Sequence, residues 1–74
     1  MPSDIHLDVC GLEPPEPMVQ VLDALAALAP GQRVHMVINR EPRPLFRILE
    51  ANGFAFTSEI RPDFLYQILI WQRP

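Results

Sequence analysis

Nine prolines divide this chain of 74 residues into short segments and limit where its helices and strands can lie. Proline fixes φ and has no backbone N–H, so it is excluded from helix interiors and from central strands. Residues 11–17 and 39–44 are therefore predicted to be stiff loops, Pro30 is predicted to end a helix, and Pro62 is predicted to lie in a turn. Because prolines in loops reduce the freedom of the unfolded chain, we expect them to stiffen the protein rather than disorder it.

The length and composition predict one small domain over residues 1–74. A chain this short buries only about 60% of its unfolded surface and has room for a single core. The content of 49% hydrophobic and 20% charged residues is typical of a globular protein, and no apolar stretch is long enough to cross a membrane. The formal net charge of −3 disfavours nucleic acid as a partner.

The single cysteine, Cys10, predicts a cytoplasmic location. One cysteine cannot form an internal disulfide, which favours a reducing compartment. Residues 1–4 contain no basic segment followed by an apolar run, so neither a signal peptide nor a transit peptide is expected.

Two hydrophobic patterns in the first half of the chain predict a strand followed by a helix. Ile5, Leu7 and Val9 alternate with polar residues, which places them on one face of a strand. The helix is predicted to have Pro17 at its first position and to end before Pro30. Its inward stripe is predicted to be Met18, Val21, Leu22, Leu25 and Leu28, with Ala24 outside it.

The second half of the chain predicts a strand, a helix and a β-hairpin. Residues 33–38 form the strand, and the helix follows the second proline loop and ends at Gly53, which is free to adopt the left-handed conformation. The inward residues of this helix are predicted to be Leu45, Ile48 and Leu49. Residues 54–60 and 65–71 are rich in aromatic and β-branched side chains and flank a turn, so they are predicted to pair.

The order strand, helix, strand, helix, strand, strand predicts an α+β two-layer sandwich. Right-handed crossovers place both helices on one face of a four-stranded mixed sheet. The first two strands are then parallel, and the loops that follow them emerge at the same edge of the sheet.

The segment from the first strand to the first helix carries a recognisable motif. It resembles the signature of the TusA/SirA family of sulfur carriers, in which Gly-Leu and one variable residue lead to Cys-Pro-x-Pro at the opening of the first helix. Gly11, Leu12, Pro15 and Pro17 match this signature, and Pro14 stands where the family has its cysteine. The element order and the closing residues extend the likeness over nearly the whole chain.

The resemblance implies a TusA-like fold without the family's sulfur chemistry at this position. It is greatest to a TusA-related group of uncharacterised small bacterial proteins that share the Glu-Pro-Pro-Glu-Pro loop, and it implies a cytoplasmic protein connected with sulfur metabolism. A persulfide carrier needs a thiolate, which a helix amino terminus stabilises, and Pro14 has no such atom. We therefore expect a non-catalytic binding module without a cofactor or a metal ion.

Cys10 gives the alternative, a sulfur-transfer or redox role through a displaced thiol. It follows the first strand and precedes the proline loop. The nearby carboxylate of Asp8 is expected to raise the pKa of this thiol, which opposes thiolate chemistry. The competing interpretation is a small, partly buried apolar residue.

The edge where both proline loops emerge is the predicted binding surface, since open α/β sheets usually bind ligands there. Its residues are predicted to be Glu13, Pro14, Pro15, Glu16, Arg40, Arg43 and Arg47. The arginines favour a small anion or a protein partner as the ligand. Alternatively, they pair with Glu13, Glu16 and Glu41 on a solvated rim, as surface charges commonly do.

The face of the sheet opposite the helices is predicted to be uncovered. His6 and His35 are expected to face one another there, although two histidines and Asp8 fall short of a metal site. Val37, Leu69 and Trp71 share this face and could form an apolar interface between two copies of the chain. Alternatively, residues 72–74 and long neighbouring side chains cover them.

Overall fold

The computed structural model describes residues 4–73. The elements in chain order are β1 (Ile5–Asp8), α1 (Glu16–Ala26), β2 (Val34–Ile38), α2 (Arg43–Ala51), β3 (Phe54–Ile60) and β4 (Tyr66–Gln72). This order confirms the predicted βαβαββ arrangement. The strand bounds differ from the predicted ones by at most one residue, because Val9, Arg33 and Leu65 fall just outside the strands and Gln72 falls inside one.

The four strands form one mixed sheet in the order β1-β2-β4-β3. β1 and β2 are parallel, with Ile5 opposite Val34, and the other two pairings are antiparallel. The first crossover, through α1, therefore returns the chain to the neighbouring strand. As a result, the loops after β1 and β2 leave the sheet at the same edge, as predicted.

Both helices pack on one face of the sheet and share a single core with it. In β2 the buried residues are Val34, Met36 and Ile38, every second residue, as expected for a strand covered on one side. α1 contributes Val21 and Leu25 to the same cluster. α2 contributes Leu45 and Leu49, and β4 contributes Ile68 and Ile70.

The predicted inward stripe of α1 is wrong at two positions, Leu22 and Ala24. Leu22 is 37% exposed, whereas Leu25 is 6% exposed and Ala24, predicted to lie outside the stripe, packs against the core. The helix is only 11 residues long. The buried residues of α1 are Val21 and Leu25. Leu22 lies about 100° around the helix axis from Val21, on the flank of the helix.

The ends of α1 also differ from the prediction. The helix begins at Glu16, so Pro17 is its second residue, and it ends at Ala26, four residues before Pro30. Leu28 lies beyond the helix, where its N–H donates to the Leu25 carbonyl at 3.2 Å and its side chain still packs on the core. A short turn therefore replaces the predicted last turn of helix.

The end of α2 agrees with the prediction. Gly53 has φ +80°, the left-handed conformation that glycine adopts without steric cost. No helix in residues 4–73 is long and apolar enough to span a membrane.

Candidate functional site

A groove of about 390 Å³ lies between the two proline loops. Its lining residues are Pro14, Pro15, Pro17, Met18, Met36, Ile38, Arg40, Glu41, Pro42, Pro44 and Leu45. The floor is formed by the end of β2, and the walls are the first turns of α1 and α2 with the loops that precede them. The sequence prediction of a binding surface at this edge therefore coincides with the groove, although the chemistry of the groove differs from the predicted one.

The groove is apolar rather than polar. Nine of its eleven lining residues are proline, methionine, isoleucine or leucine, and only Arg40 and Glu41 carry charge. Prolines also lack the backbone N–H that would otherwise donate into the groove. Met18, which is half-buried, supplies a flexible, polarisable side chain of the kind that adapts to different apolar ligands, whereas Met36 is buried beneath the groove.

Within residues 4–73, the first turn of α2 has no backbone N–H that is free to bind an anion. The N–H of Arg43 donates to the Glu41 carbonyl at 3.0 Å, and those of Leu45 and Phe46 donate to the Pro42 carbonyl at 3.0 and 3.3 Å. Pro44 has no N–H. Anion sites at helix termini use the unpaired donors of the first turn, and here these donors are already occupied or missing.

The amino terminus of α1 is nearly as closed. The N–H of Glu16 donates to the Glu13 carbonyl at 2.9 Å, and that of Val19 donates to the Pro15 carbonyl at 3.0 Å. Pro17 has no donor. In residues 4–73, the Met18 N–H is the one group of this first turn that has no acceptor.

The structure separates the three arginines that the sequence groups together. Arg40 lines the groove and has no ion pair within residues 4–73. The Nε of Arg43 donates to the Oε1 of Glu41 at 2.6 Å, an ion pair that raises the pKa of Arg43. Arg47 is exposed and lies outside the lining. Of the predicted binding residues, the groove thus brings together Pro14, Pro15 and Arg40.

The remaining predicted binding residues flank the groove without lining it. Glu13 and Glu16 are exposed on the first loop and in the first turn of α1. Only one of the expected glutamate–arginine pairs forms within the described part of the chain, between Glu41 and Arg43.

Pro14 and Cys10 occupy different positions relative to α1. Pro15 is the residue that precedes the helix, so Pro14 lies at the helix opening, where the TusA/SirA signature has its cysteine. Cys10 lies six residues before the first helical residue, and only Val9 separates it from the end of β1. Cys10 is therefore not part of the helix opening, where an α-helix dipole favours a thiolate.

The surroundings of Cys10 oppose thiolate formation. Partial burial raises the pKa of the Cys10 thiol, and the hydrogen bond and negative charge of Asp8 raise it further. The Cys10 N–H donates to the Oδ1 of Asp8 at 3.0 Å, and this bond lowers the pKa of the carboxyl group. The predicted direction of the Asp8 effect is confirmed.

Asp4 belongs to a polar cluster that the sequence analysis missed. Its Oδ2 accepts hydrogen bonds from Arg33 Nη2 at 2.9 Å and from His35 Nε2 at 2.7 Å. These bonds lower the pKa of Asp4 to about 2. The contact between Asp4 and Arg33 follows from the strand pairing. The parallel register places Ile5 opposite Val34, so the preceding residues, Asp4 and Arg33, lie side by side.

The predicted facing of His6 and His35 is confirmed. The two residues are opposite each other in the β1–β2 register, and their rings stack with centroids 4.8 Å apart. In residues 4–73, no three His, Cys, Asp or Glu side chains are grouped so that they could hold a metal ion.

The three residues predicted as an interface lie on the open face of the sheet. Val37, Leu69 and Trp71 are each half-buried. The large apolar side chains that are most exposed in the described residues, Ile60 and Phe64, lie elsewhere, at the β3–β4 hairpin. Of the segment proposed to cover this face, Pro74 lies outside the described residues.

The sequence of this chain matches that of a known protein family. Residues 6–72 match the family described as an uncharacterized conserved protein, DUF2249. This chain belongs to the DUF2249 family. Among curated proteins, none matches this DUF2249 chain.

The fold of this DUF2249 chain is similar to that of a SirA-like protein from Desulfitobacterium hafniense, known from its crystal structure. The TM-score is 0.80 with 20% sequence identity, over 89% of this chain and 93% of that chain. The predicted SirA/TusA-like fold is thereby confirmed. At this level of identity the likeness is one of fold, and the subgroup without the cysteine stays a prediction.

Proposed function

We propose that this DUF2249 chain is a non-catalytic binding module that docks an apolar segment of a protein partner in the groove between its two proline loops. The observation that carries the proposal is the groove itself, about 390 Å³ in volume and lined by five prolines, two methionines, Ile38 and Leu45. Concave apolar sites with a few polar groups are the usual ligand sites of proteins.

The prolines give the groove an energetic advantage as a docking site. A partner that binds a flexible surface loses affinity to the ordering of that surface, whereas a surface stiffened by proline is already ordered. Pro14, Pro15 and Pro42 hold the two walls, and both helices begin directly behind them. Arg40 at the groove provides one cation that can orient a carboxylate or carbonyl group of the partner.

A small anion is the weaker alternative as a ligand. It is opposed by the occupied N–H groups of α2, by the Glu41–Arg43 ion pair and by the apolar lining.

Sulfur transfer or redox chemistry through Cys10 is the other alternative. It is opposed by the raised pKa of the thiol and by the place of Cys10 in the chain, six residues before α1 begins. The single cysteine supports a cytoplasmic location.

Affinity capture from an extract of the source organism tests the proposal with a matched pair of variants. Met18→Lys places a charge in the groove, whereas Val19→Lys places the same charge on the neighbouring exposed position of α1 outside it. We expect wild type and Val19→Lys to retain a common protein and Met18→Lys to lose it. Equal capture by wild type and by folded Met18→Lys would contradict docking in the groove.

Two further measurements separate the alternatives. Titration of isotope-labelled protein with inorganic phosphate would give saturable amide shifts at Arg40 and Arg43 if the site held an anion, and we expect none. Mass spectrometry after treatment with a persulfide donor would give a gain in mass at Cys10 if the thiol were a carrier, and we expect no gain.

A further inference from the structure

The outer edge of β3 is an unprotected hydrogen-bonding surface. β3 is the last strand of the sheet and, among the residues that the structure describes, pairs only with β4. The Arg61 N–H donates to the Leu65 carbonyl at 2.7 Å, and the Arg73 N–H donates to the Gly53 carbonyl at 2.9 Å. In this register the odd-numbered residues of β3 therefore point their N–H and C=O groups toward β4. Because these directions alternate along a strand, the even-numbered residues point theirs outward. They are Phe54, Phe56, Ser58 and Ile60.

The two edges of the sheet differ in how they are protected. β1 has four residues and ends in Asp8, whose carboxylate is already bonded to the following turn. β3 has seven residues and contains no proline or lysine, and its one charged residue is Glu59. Short strands, prolines and inward charges are the devices that normally prevent edge pairing. β3 has none of them, and its last four residues are exposed.

We propose that β3 pairs antiparallel with β3 of a second copy of this chain, so that two sheets join into one of eight strands. A two-fold axis at Thr57 makes the edge self-complementary. It places Ile60, which is 61% exposed, opposite Phe54 of the second copy, and Phe56 opposite Ser58. On the other face it places Glu59 opposite Ala55, so no like charges meet.

The register at Thr57 uses all of the outward groups. The four outward residues of each copy form about eight backbone hydrogen bonds across the axis. Covering Ile60 removes one of the two most exposed large apolar side chains of the described residues from water. An interface limited to one pair of edges is smaller than the ~1,200 Å² of stable complexes, so the dimer is expected to be weak and concentration-dependent.

Sedimentation of the purified chain from about 10 µM to about 1 mM tests the proposal, because a weak dimer forms within this range. We expect the weight-average mass to rise with concentration toward that of a dimer. Ser58→Pro removes an outward donor and leaves the β3–β4 bonds intact, whereas Ser58→Ala keeps the donor. Association of Ser58→Pro is expected to be at least about tenfold weaker, and that of Ser58→Ala to be unchanged.

A second pair of variants keeps the proposal testable if Ser58→Pro fails to fold. Ile60→Lys adds a charge at the edge, and Val19→Lys adds the same charge on α1. Only Ile60→Lys is expected to weaken association. In the wild type, amide exchange at Phe56 and Ser58 is expected to slow as concentration rises. A monomer at all concentrations would overturn the proposal. So would a dimer that persists in Ile60→Lys, which is the result expected if the chain dimerises by the open face of its sheet instead.

Discussion

Glu41 and Arg43 form an ion pair at the start of α2, with Oε1 and Nε 2.6 Å apart. The Arg43 side chain is largely exposed, so the pair contributes little to stability. Its consequence is for the binding surface, because the pair neutralises the acidic residue of the groove and leaves Arg40 as the charged group that is available there. A partner segment with an apolar side chain next to a carboxylate matches this combination.

The exposure of two leucines in α1 predicts a large difference in stability between two equivalent variants. Leu25→Ala empties a core position and is expected to lower the free energy of unfolding by about 2–4 kcal/mol. Leu22→Ala, three residues earlier on the flank of the same helix, is expected to cost about 1 kcal/mol or less. Urea unfolding of both variants measures the difference, and equal losses would contradict the position of Leu22 on the flank.

The low pKa of Asp4 predicts acid sensitivity of the fold. Since the pKa in the folded state, about 2, lies below its ordinary value near 4, the bonds from Arg33 and His35 stabilise the protein above pH ~4. This contribution is lost as the pH falls from about 4 to about 2. Asp4→Asn is therefore expected to be less stable than wild type at pH 7, and the difference is expected to vanish near pH 2.

Asp23→Asn is the matched control for this experiment. Asp23 is exposed on α1, and its side chain has no ion pair or hydrogen bond within residues 4–73. Its variant should follow the wild-type curve of unfolding free energy against pH. A constant difference between wild type and Asp4→Asn down to pH 2 would mean that the Asp4 bonds are not lost on protonation.

The order of the elements could be predicted from the sequence because local rules decided it. The alternation of β2 and the prolines on both sides of it left few choices, and Gly53 ended α2 where expected. The stripe of α1 failed at Leu22 because hydrophobic periodicity gives a face of the helix but not how wide the sheet beneath it is. Only the packed structure distinguishes Leu22 from Ala24.

The position of the candidate site was predictable, but its chemistry was not. Parallel β1 and β2 bring the two loops to one edge, and this follows from the order of the elements. From their spacing in the sequence, Arg40, Arg43 and Arg47 are expected to form one cationic cluster. In the structure Arg43 pairs with Glu41, and Arg47 lies outside the groove that Arg40 lines. Side-chain pairing of exposed residues has too small an energy to leave a pattern in sequence.

The backbone of Phe64 predicts that glycine is favoured at this position. Phe64 has φ +65°, a left-handed conformation that costs non-glycine residues roughly 1 kcal/mol, and its side chain is 79% exposed. Phe64→Gly is therefore expected to be more stable than Phe64→Ala by about 1 kcal/mol, because both lose the ring and only glycine relieves the strain. Thermal unfolding of the two variants decides this, and a more stable alanine variant would contradict it.

The environment of Cys10 predicts that its thiol reacts slowly at pH 7 and faster as the pH rises. Burial and the Asp8 carboxylate hold the pKa of the thiol above its ordinary value, so at pH 7 the reactive thiolate is scarcer than in a free cysteine. The rate of alkylation by iodoacetamide, followed by mass spectrometry against pH, is expected to rise with a midpoint above that of glutathione. Asp8→Asn should lower the midpoint, because it removes the negative charge beside the sulfur, whereas Asp23→Asn on α1 should leave it unchanged. A wild-type midpoint below that of glutathione would reverse this conclusion and favour Cys10 as the carrier of sulfur in place of the missing thiol at position 14.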